Sequence, residues 1–113
     1  MKEIVVKILD DNKAEKIVDI DLAGKTSIAD FMVICSGRSS RQVSALADIL
    51  SETVKDYDLQ PKIEGKENGD WVVVDAGDFI VHIFRPEVRD FYQLEKMWGV
   101  DFNAADHTLY ISA

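Results

Sequence analysis

Two apolar runs separated by Ala76-Gly77 constrain this chain more than any other feature of its sequence. Residues 71–75 and 79–84 are rich in β-branched and aromatic side chains, which favour strands. A glycine between them permits the positive φ of a tight turn, so the segment predicts a β-hairpin with Ala76 and Gly77 as its loop. The cross-strand pairs expected from that loop are Asp75 with Asp78, Val73 with Ile80, and Trp71 with His82.

The two faces of this hairpin differ in polarity, because successive side chains of a strand point to opposite sides. One face is wholly apolar and predicts core: Val72, Val74, Phe79, Val81 and Ile83. The other face is mixed: Trp71, Val73, Asp75, Asp78, Ile80, His82 and Phe84. A tryptophan near acids on the less apolar face is typical of an interface anchor, and the alternative is a partly covered tryptophan within the fold.

Three further segments predict strands. Lys16 to Leu22 alternates between two faces and ends at Ala23-Gly24. Phe31 to Cys35 is a continuous apolar run, short enough for a strand covered on both faces. Pro61 to Glu64 predicts a short strand, which brings the expected total to about five.

Helices are predicted at three places in the chain. Residues 1–13 place apolar side chains on one helical face, although their β-branched run leaves an edge strand as an alternative. A second helix follows Ser36-Gly37, with Ser39 and Gln42 as a capping box. Pro86 opens a third helix that runs to Trp98.

The second of these helices shows the strongest amphipathic pattern. Its predicted buried stripe is Val43, Leu46, Ala47, Leu50 and Val54, extended by Tyr57. Its predicted outer residues are Asp48, Ser51, Glu52 and Lys55. With the strands, this indicates an α/β fold, a mixed sheet of about five strands with helices mainly on one face. We expect one domain over residues 1–99 and a C-terminal tail over residues 100–113.

The charge balance narrows the class of partner. The chain of 113 residues has 13 basic and 21 acidic residues, a net charge of −8. Such a domain repels phosphate backbones, so we expect no direct nucleic-acid binding and favour a basic protein surface. No apolar stretch is long enough for a membrane span, and we expect neither a signal peptide nor membrane binding. The single cysteine fits a reducing cytoplasm.

Two constellations offer an enzymatic alternative. Asp19 and Asp21 project from one side of a strand and are typical of a magnesium site in a nucleotidyltransferase-like enzyme, whereas the simpler interpretation is a solvated strand face. Cys35 is a candidate nucleophile with His82 or His107 as its base, whereas the simpler interpretation is a core cysteine. These residues make a poor metal set, so we predict no metal and no cofactor.

Three segments in order resemble the ribosomal silencing factor family RsfS, also called Iojap. They are SIADFMVICSGRSSRQV at residues 27–43, GDWVVVDAGD at residues 69–78, and HIFRPEVRDFYQLEKMW at residues 82–98. The resemblance covers about residues 3–98. It implies a fold similar to nucleotidyltransferases without the catalytic carboxylates, and hence no enzyme activity.

The resemblance also implies a function and a set of partner-binding residues. It implies a cytoplasmic translation repressor that binds a ribosomal protein on the intersubunit face of the large subunit. The bound factor would block joining of the small subunit when nutrients are scarce, and the free protein would be a homodimer. A third alternative is a dimeric scaffold for another basic protein. The expected partner-binding residues are Trp71, Asp70, Asp75, Asp78 and His82, with Tyr92, Glu95 and Trp98 extending that surface or building the dimer.

Overall fold

The fold is α/β, as the sequence predicts. The computed structural model describes residues 1–25 and 27–88. Its elements in chain order are α1 (Lys2–Asp11), β1 (Glu15–Asp21), β2 (Phe31–Ser36), α2 (Ser40–Lys55), β3 (Lys62–Glu64), β4 (Trp71–Asp75) and β5 (Phe79–Phe84). The first segment is therefore the helix that the sequence favours and not an edge strand.

The five strands form one mixed sheet in the order β1-β2-β5-β4-β3. Strands β2 and β5 pair in parallel, and the other three pairs are antiparallel. The two parallel strands occupy the centre, which explains why β2 is an uninterrupted apolar run: all six of its residues are buried. The predicted strand count is confirmed.

Both helices pack on one side of the sheet, called here the helix face. Val5 and Leu9 of α1 join the predicted stripe of α2 in one core cluster with Phe31, Val33 and Cys35 of β2. The same cluster contains the predicted apolar side of the hairpin: Val72, Val74, Phe79, Val81 and Ile83. The alternation of side chains along the strands therefore predicts correctly which hairpin residues lie in this core.

One residue of α2 and one residue just after it differ from the prediction. Ser51, predicted on the outer surface, is only 4% exposed, and Tyr57, predicted to extend the stripe, is 47% exposed. Tyr57 lies beyond the helix, which ends at Lys55, so the helical period no longer sets its direction. Ser51 follows Leu50 on the helix, and its burial shows that the covered stripe is wider than the apolar pattern indicates.

One of the two hydrogen bonds of the predicted capping box of α2 is present. Ser39 Oγ accepts a hydrogen bond from the Gln42 backbone N–H at 3.1 Å. The Gln42 side chain does not return to Ser39 but accepts from the backbone N–H of Arg38 at 2.6 Å. Its amide nitrogen donates to the carbonyl of Lys13 at 3.2 Å, which ties the start of α2 to the turn before β1.

The hairpin register differs from the prediction by two residues. Asp75 pairs with Ile80, Val73 with His82, and Trp71 with Phe84. The predicted loop is wrong because the backbone N–H of Ala76 bonds to the Phe79 carbonyl at 3.0 Å, which places Gly77 and Asp78 in the turn. Gly77 adopts φ 87°, the conformation that favours glycine. A shift of two residues leaves every side chain on its predicted face.

The side of the sheet opposite the helices carries a second cluster. We call it the Trp71 face, defined by the side chains of Val18, Ile20, Met32, Ile34, Trp71, Val73, Ile80, His82 and Phe84. Its centre is buried, and Val18, Trp71, Val73, Ile80 and His82 around that centre are partly exposed. Helices α1 and α2 lie on the other side of the sheet, and Val88 of the helical turn at residues 86–88 packs against the Trp71 face.

Part of the predicted architecture lies outside the described residues. Residues 86–88 form a first helical turn, as expected after Pro86, while the remainder of the predicted helix to Trp98 and the tail of residues 100–113 are not described. No helix in the described part of the chain is long and apolar enough to cross a membrane.

Candidate partner-binding face

Three aromatic rings stack at one end of the Trp71 face. Trp71 lies directly opposite Phe84, and their ring centroids are 4.9 Å apart. His82 is the diagonal neighbour of Trp71, yet Trp71 Nε1 donates a hydrogen bond to His82 Nδ1 at 3.0 Å. The His82 and Phe84 rings are stacked with centroids 6.0 Å apart. The side chains predicted to be neighbours therefore are neighbours, through a diagonal contact and not a direct cross-strand pair.

The hydrogen bond from Trp71 determines the state of His82. The indole N–H only donates, so Nδ1 must be the unprotonated, accepting nitrogen of the imidazole. Burial lowers the pKa of His82 from 6.5 to about 4, because the charged form loses its hydration. At neutral pH the ring is therefore uncharged and carries its proton on Nε2.

Asp70 is held by a neighbour that the sequence analysis missed. Arg85 Nη1 lies 3.4 Å from Asp70 Oδ1, and Arg85 Nη2 lies 2.5 Å from Glu87 Oε1. The Arg85 backbone N–H also donates to the Asp70 carbonyl at 2.9 Å. Asp70 therefore contributes to an ion-pair network beside Trp71 and is not a free carboxylate. The sequence does contain an indication of this ion pair: Arg85 directly follows Phe84, the residue of β5 that pairs with Trp71.

The other two predicted acids lie at the far end of the hairpin. Asp75 is four residues from Trp71 along β4, roughly 13 Å away at strand spacing. Its Oδ1 accepts from the backbone N–H of Gly77 at 2.9 Å. The Asp78 carbonyl accepts from the backbone N–H of Asp30 at 2.8 Å, and both Asp75 and Asp78 are exposed. The structure therefore brings Trp71, His82 and Asp70 together and sets Asp75 and Asp78 apart.

The remaining predicted partner-binding residues are outside the described part of the chain: Tyr92, Glu95 and Trp98.

The described residues do not form a catalytic site around Asp19 and Asp21. Asp19 Oδ2 lies 3.3 Å from Lys2 Nζ, and Asp21 Oδ1 accepts from the backbone N–H of Ala23 at 3.0 Å. Among the described residues, no group of three or more histidine, cysteine or acidic side chains is placed to hold a metal ion. The simpler interpretation of a strand face bonded to its own surroundings fits these contacts.

Cys35 and His82 lie on opposite sides of the sheet. Cys35 is fully buried and belongs to the core of the helix face, where it pairs with Ile83. His82 pairs with Ile34 and belongs to the Trp71 face. The combination of Cys35 as nucleophile with His82 as base is therefore wrong, and His107 lies outside the described residues.

Residues 1–110 match the family model for RsfS, described as "Ribosomal silencing factor during starvation". The chain belongs to the RsfS family. An RsfS protein of Zymomonas mobilis is 57% identical over 98 residues, which cover 86% of this chain and 74% of that protein. The RsfS protein of Haemophilus influenzae is 48% identical over 86% of this chain and 96% of its own length.

The fold of this RsfS member also agrees with an experimental structure. A crystal structure of a Chromobacterium violaceum protein superposes with a TM-score of 0.83 at 38% identity, covering 87% of this chain and 82% of that one. Membership in RsfS assigns the chain to translation regulation as a ribosomal silencing factor. The resemblance inferred from the three sequence segments is thus confirmed.

Proposed function

We propose that this protein represses translation by occupying the intersubunit face of the large ribosomal subunit, where it contacts a basic ribosomal protein and blocks joining of the small subunit. The family description refers to starvation, and nutrient limitation is the condition under which we expect repression. A mouse relative at 35% identity is named "Mitochondrial assembly of ribosomal large subunit protein 1", which supports the large subunit as the binding platform.

The observation that carries this proposal is the ordered, partly exposed tryptophan on the Trp71 face. Its indole is positioned by a hydrogen bond to His82 and by stacking on Phe84. A large side chain that is already immobilised loses little conformational entropy when it enters a partner's pocket. Tryptophan is also among the residues that most often dominate binding energy at the centre of interfaces.

Charge supports the choice of a basic protein as the partner. The net charge is −8, and exposed acids lie both beside Trp71 and at the hairpin turn. Asp70 is partly neutralised by Arg85, so Asp75 and Asp78 are the acids of this set more available to a partner's lysines and arginines. Complementary potentials of this kind raise association rates and exclude anionic competitors such as bare RNA.

Repression by occupancy requires no chemical step. The domain measures tens of ångströms across. A body of that size, bound between the two ribosomal subunits, prevents their surfaces from meeting. We therefore propose that the protein is not an enzyme and acts in the cytoplasm, where ribosomes assemble. The homodimer of the free protein, the role of Tyr92, Glu95 and Trp98, and the division between residues 1–99 and 100–113 stay predictions.

The first prediction tests the face directly. Trp71→Ala should weaken binding to purified large subunits by about 2 kcal/mol or more, roughly thirtyfold, because an interface anchor is lost. Tyr57→Ala is the matched control, since Tyr57 is an exposed aromatic that follows α2, away from the aromatic cluster. Binding is measured by co-sedimentation with large subunits across a range of protein concentrations.

A second readout connects binding with function. Wild-type protein and Tyr57→Ala should reduce the yield of joined ribosomes from purified subunits, and Trp71→Ala should reduce it only at much higher concentration. Circular dichroism establishes that each variant is folded. Equal binding and equal inhibition by a folded Trp71→Ala protein would remove the Trp71 face from the interface.

A further inference from the structure

The hydrogen bond between Trp71 and His82 determines which nitrogen of the imidazole can donate to a bound partner. Because Nδ1 of His82 accepts from the indole N–H at 3.0 Å, the proton of the neutral imidazole must be on Nε2. The nitrogen that faces away from Trp71 is therefore a hydrogen-bond donor. It cannot act as an acceptor while the Trp71 contact is intact.

The His82 side chain is partly exposed on the Trp71 face. His82 is only partly buried, and its recorded hydrogen bond is the one from Trp71. Within the described residues, the fully buried side-chain polar atoms without a partner are Ser51 Oγ and Arg85 Nε, and His82 Nε2 is not among them. The donor therefore belongs to a partly exposed ring that is stacked with Phe84.

We propose that His82 presents its Nε2–H to an acceptor oxygen of the ribosomal protein, a main-chain carbonyl or a carboxylate, while Trp71 fills the adjoining apolar contact. This inference rests on the proposed function and adds the polarity of one specific contact. An interface that buries this N–H without an acceptor leaves a desolvated donor unsatisfied, which is costly. Trp71 and His82 together therefore favour a partner that has an acceptor oxygen beside the pocket that receives the Trp71 indole. They disfavour a partner that has a lysine or arginine head group at that position.

Two conservative substitutions separate the two nitrogens. His82→Asn places an amide oxygen near the position of Nδ1 and can still accept from Trp71, but it has no atom at the position of Nε2. His82→Gln has a longer side chain whose amide N–H can reach the position of Nε2. We expect His82→Gln to bind large subunits within about threefold of wild type and His82→Asn to bind about three- to tenfold more weakly, the value of one hydrogen bond.

The experiment measures co-sedimentation of the full chain with purified large subunits for wild type, both His82 variants and Trp71→Ala. Nitrogen NMR of histidine-labelled protein at neutral pH reads the tautomer independently, since a protonated and an unprotonated ring nitrogen differ widely in chemical shift. We expect protonated Nε2 and unprotonated Nδ1 for His82.

The outcomes distinguish this inference from the proposed function. If Trp71→Ala loses binding but His82→Asn binds like wild type, the face is the interface and the donor contact is refuted. If Trp71→Ala also binds like wild type, the interface assignment fails and the donor contact fails with it. A proton on Nδ1 in the NMR spectrum would overturn the inference whatever the binding data show.

Discussion

At the scale of single residues, the charge state of His82 is the property most open to measurement. Its pKa is lowered to about 4 by burial, and its Nδ1 lone pair is used by Trp71. Protonation would therefore break a hydrogen bond and place a charge in a desolvated site. The unfolded chain pays neither cost, so it binds the proton more readily than the native protein does.

This difference predicts a pH-dependent stability. The folded-state pKa lies below the unfolded value of about 6.5, so the contribution of neutral His82 is present above that pH and is lost as the pH falls towards 4. Relative to His82→Gln, wild-type protein should lose up to about 3 kcal/mol of unfolding free energy between pH 7 and pH 4. Urea denaturation of both proteins at several pH values provides the comparison.

The variant serves as the internal control of that experiment, because His82→Gln leaves every other ionisable group of the chain in place. The difference between the two curves therefore isolates His82. Parallel curves over the whole range would mean that His82 titrates alike in the folded and unfolded chains, and the burial argument would be wrong.

The residues of this site were predictable to different degrees. Trp71 and His82 were identified because alternation assigns a side chain to a face, and an error of two residues in register does not change that face. The donor in their hydrogen bond and the capture of Asp70 by Arg85 depend on side-chain directions that alternation does not encode. These contacts required the three-dimensional structure.

At the scale of elements, the loop between β3 and β4 is what positions Trp71. Gly69 is buried against the first turn of α2, and a Cβ placed on it would lie 2.7 Å from the Ser40 carbonyl oxygen. Ser44 Oγ donates to the Lys66 carbonyl at 3.1 Å, and Lys66 Nζ lies 2.6 Å from Asp48. The loop is therefore attached to α2 at several points immediately before the strand that carries Trp71.

This attachment predicts a contrast between two glycines. Gly69→Ala should lower the unfolding free energy by about 2 kcal/mol or more, since the left-handed backbone is strained for alanine and the new methyl collides with main chain. Gly24→Ala should cost only about 1 kcal/mol, because Gly24 has φ 81° but open space around its Cβ position. Urea denaturation at neutral pH measures both.

Binding adds a second readout to this pair. Under conditions where both variants are folded, Gly69→Ala should also weaken association with large subunits, because displacement of the loop moves Trp71, whereas Gly24→Ala should not. Equal stability costs for the two substitutions would show that the loop yields without resistance, and that it does not fix the strand.

The same scale explains which elements sequence patterns can predict. The amphipathic stripe of α2 and the apolar run of β2 follow from burial alone, so both were found within one or two residues. The predicted hairpin turn is wrong because Ala76-Gly77 and Gly77-Asp78 both suit a two-residue turn, and the pairing of Ala76 with Phe79 that selects Gly77-Asp78 is not encoded in the local pattern. A local pattern therefore predicts a hairpin more securely than its register.

At the scale of the whole molecule, the acids are distributed unevenly. The hairpin turn, the end of β1 and the start of β2 meet at one end of the sheet, where four acids and the first two residues of the chain line an open depression of about 360 Å³: Glu3, Asp21, Asp30 and Asp78, with Met1 and Lys2. Asp75 precedes the same turn. A basic partner approaching the Trp71 face therefore meets a concentration of negative charge at one end of it, which favours one orientation during the encounter.

Steering of this kind predicts a change in association rate that depends on where charge is removed. The double variant Asp75→Asn/Asp78→Asn changes the net charge from −8 to −6, and Asp56→Asn/Asp58→Asn at the end of α2 makes the same change elsewhere. At low ionic strength the first variant should bind large subunits severalfold more slowly than the second, since electrostatic complementarity acts chiefly on the association rate. Stopped-flow measurements with fluorescently labelled protein determine both rates. Raising the ionic strength should bring the two rates together, because the screening length falls from about 10 Å at 0.1 M to about 3 Å at 1 M. Equal slowing of both variants at low salt would mean that only the total charge matters, and the hairpin end of the sheet would then have no particular role in the encounter.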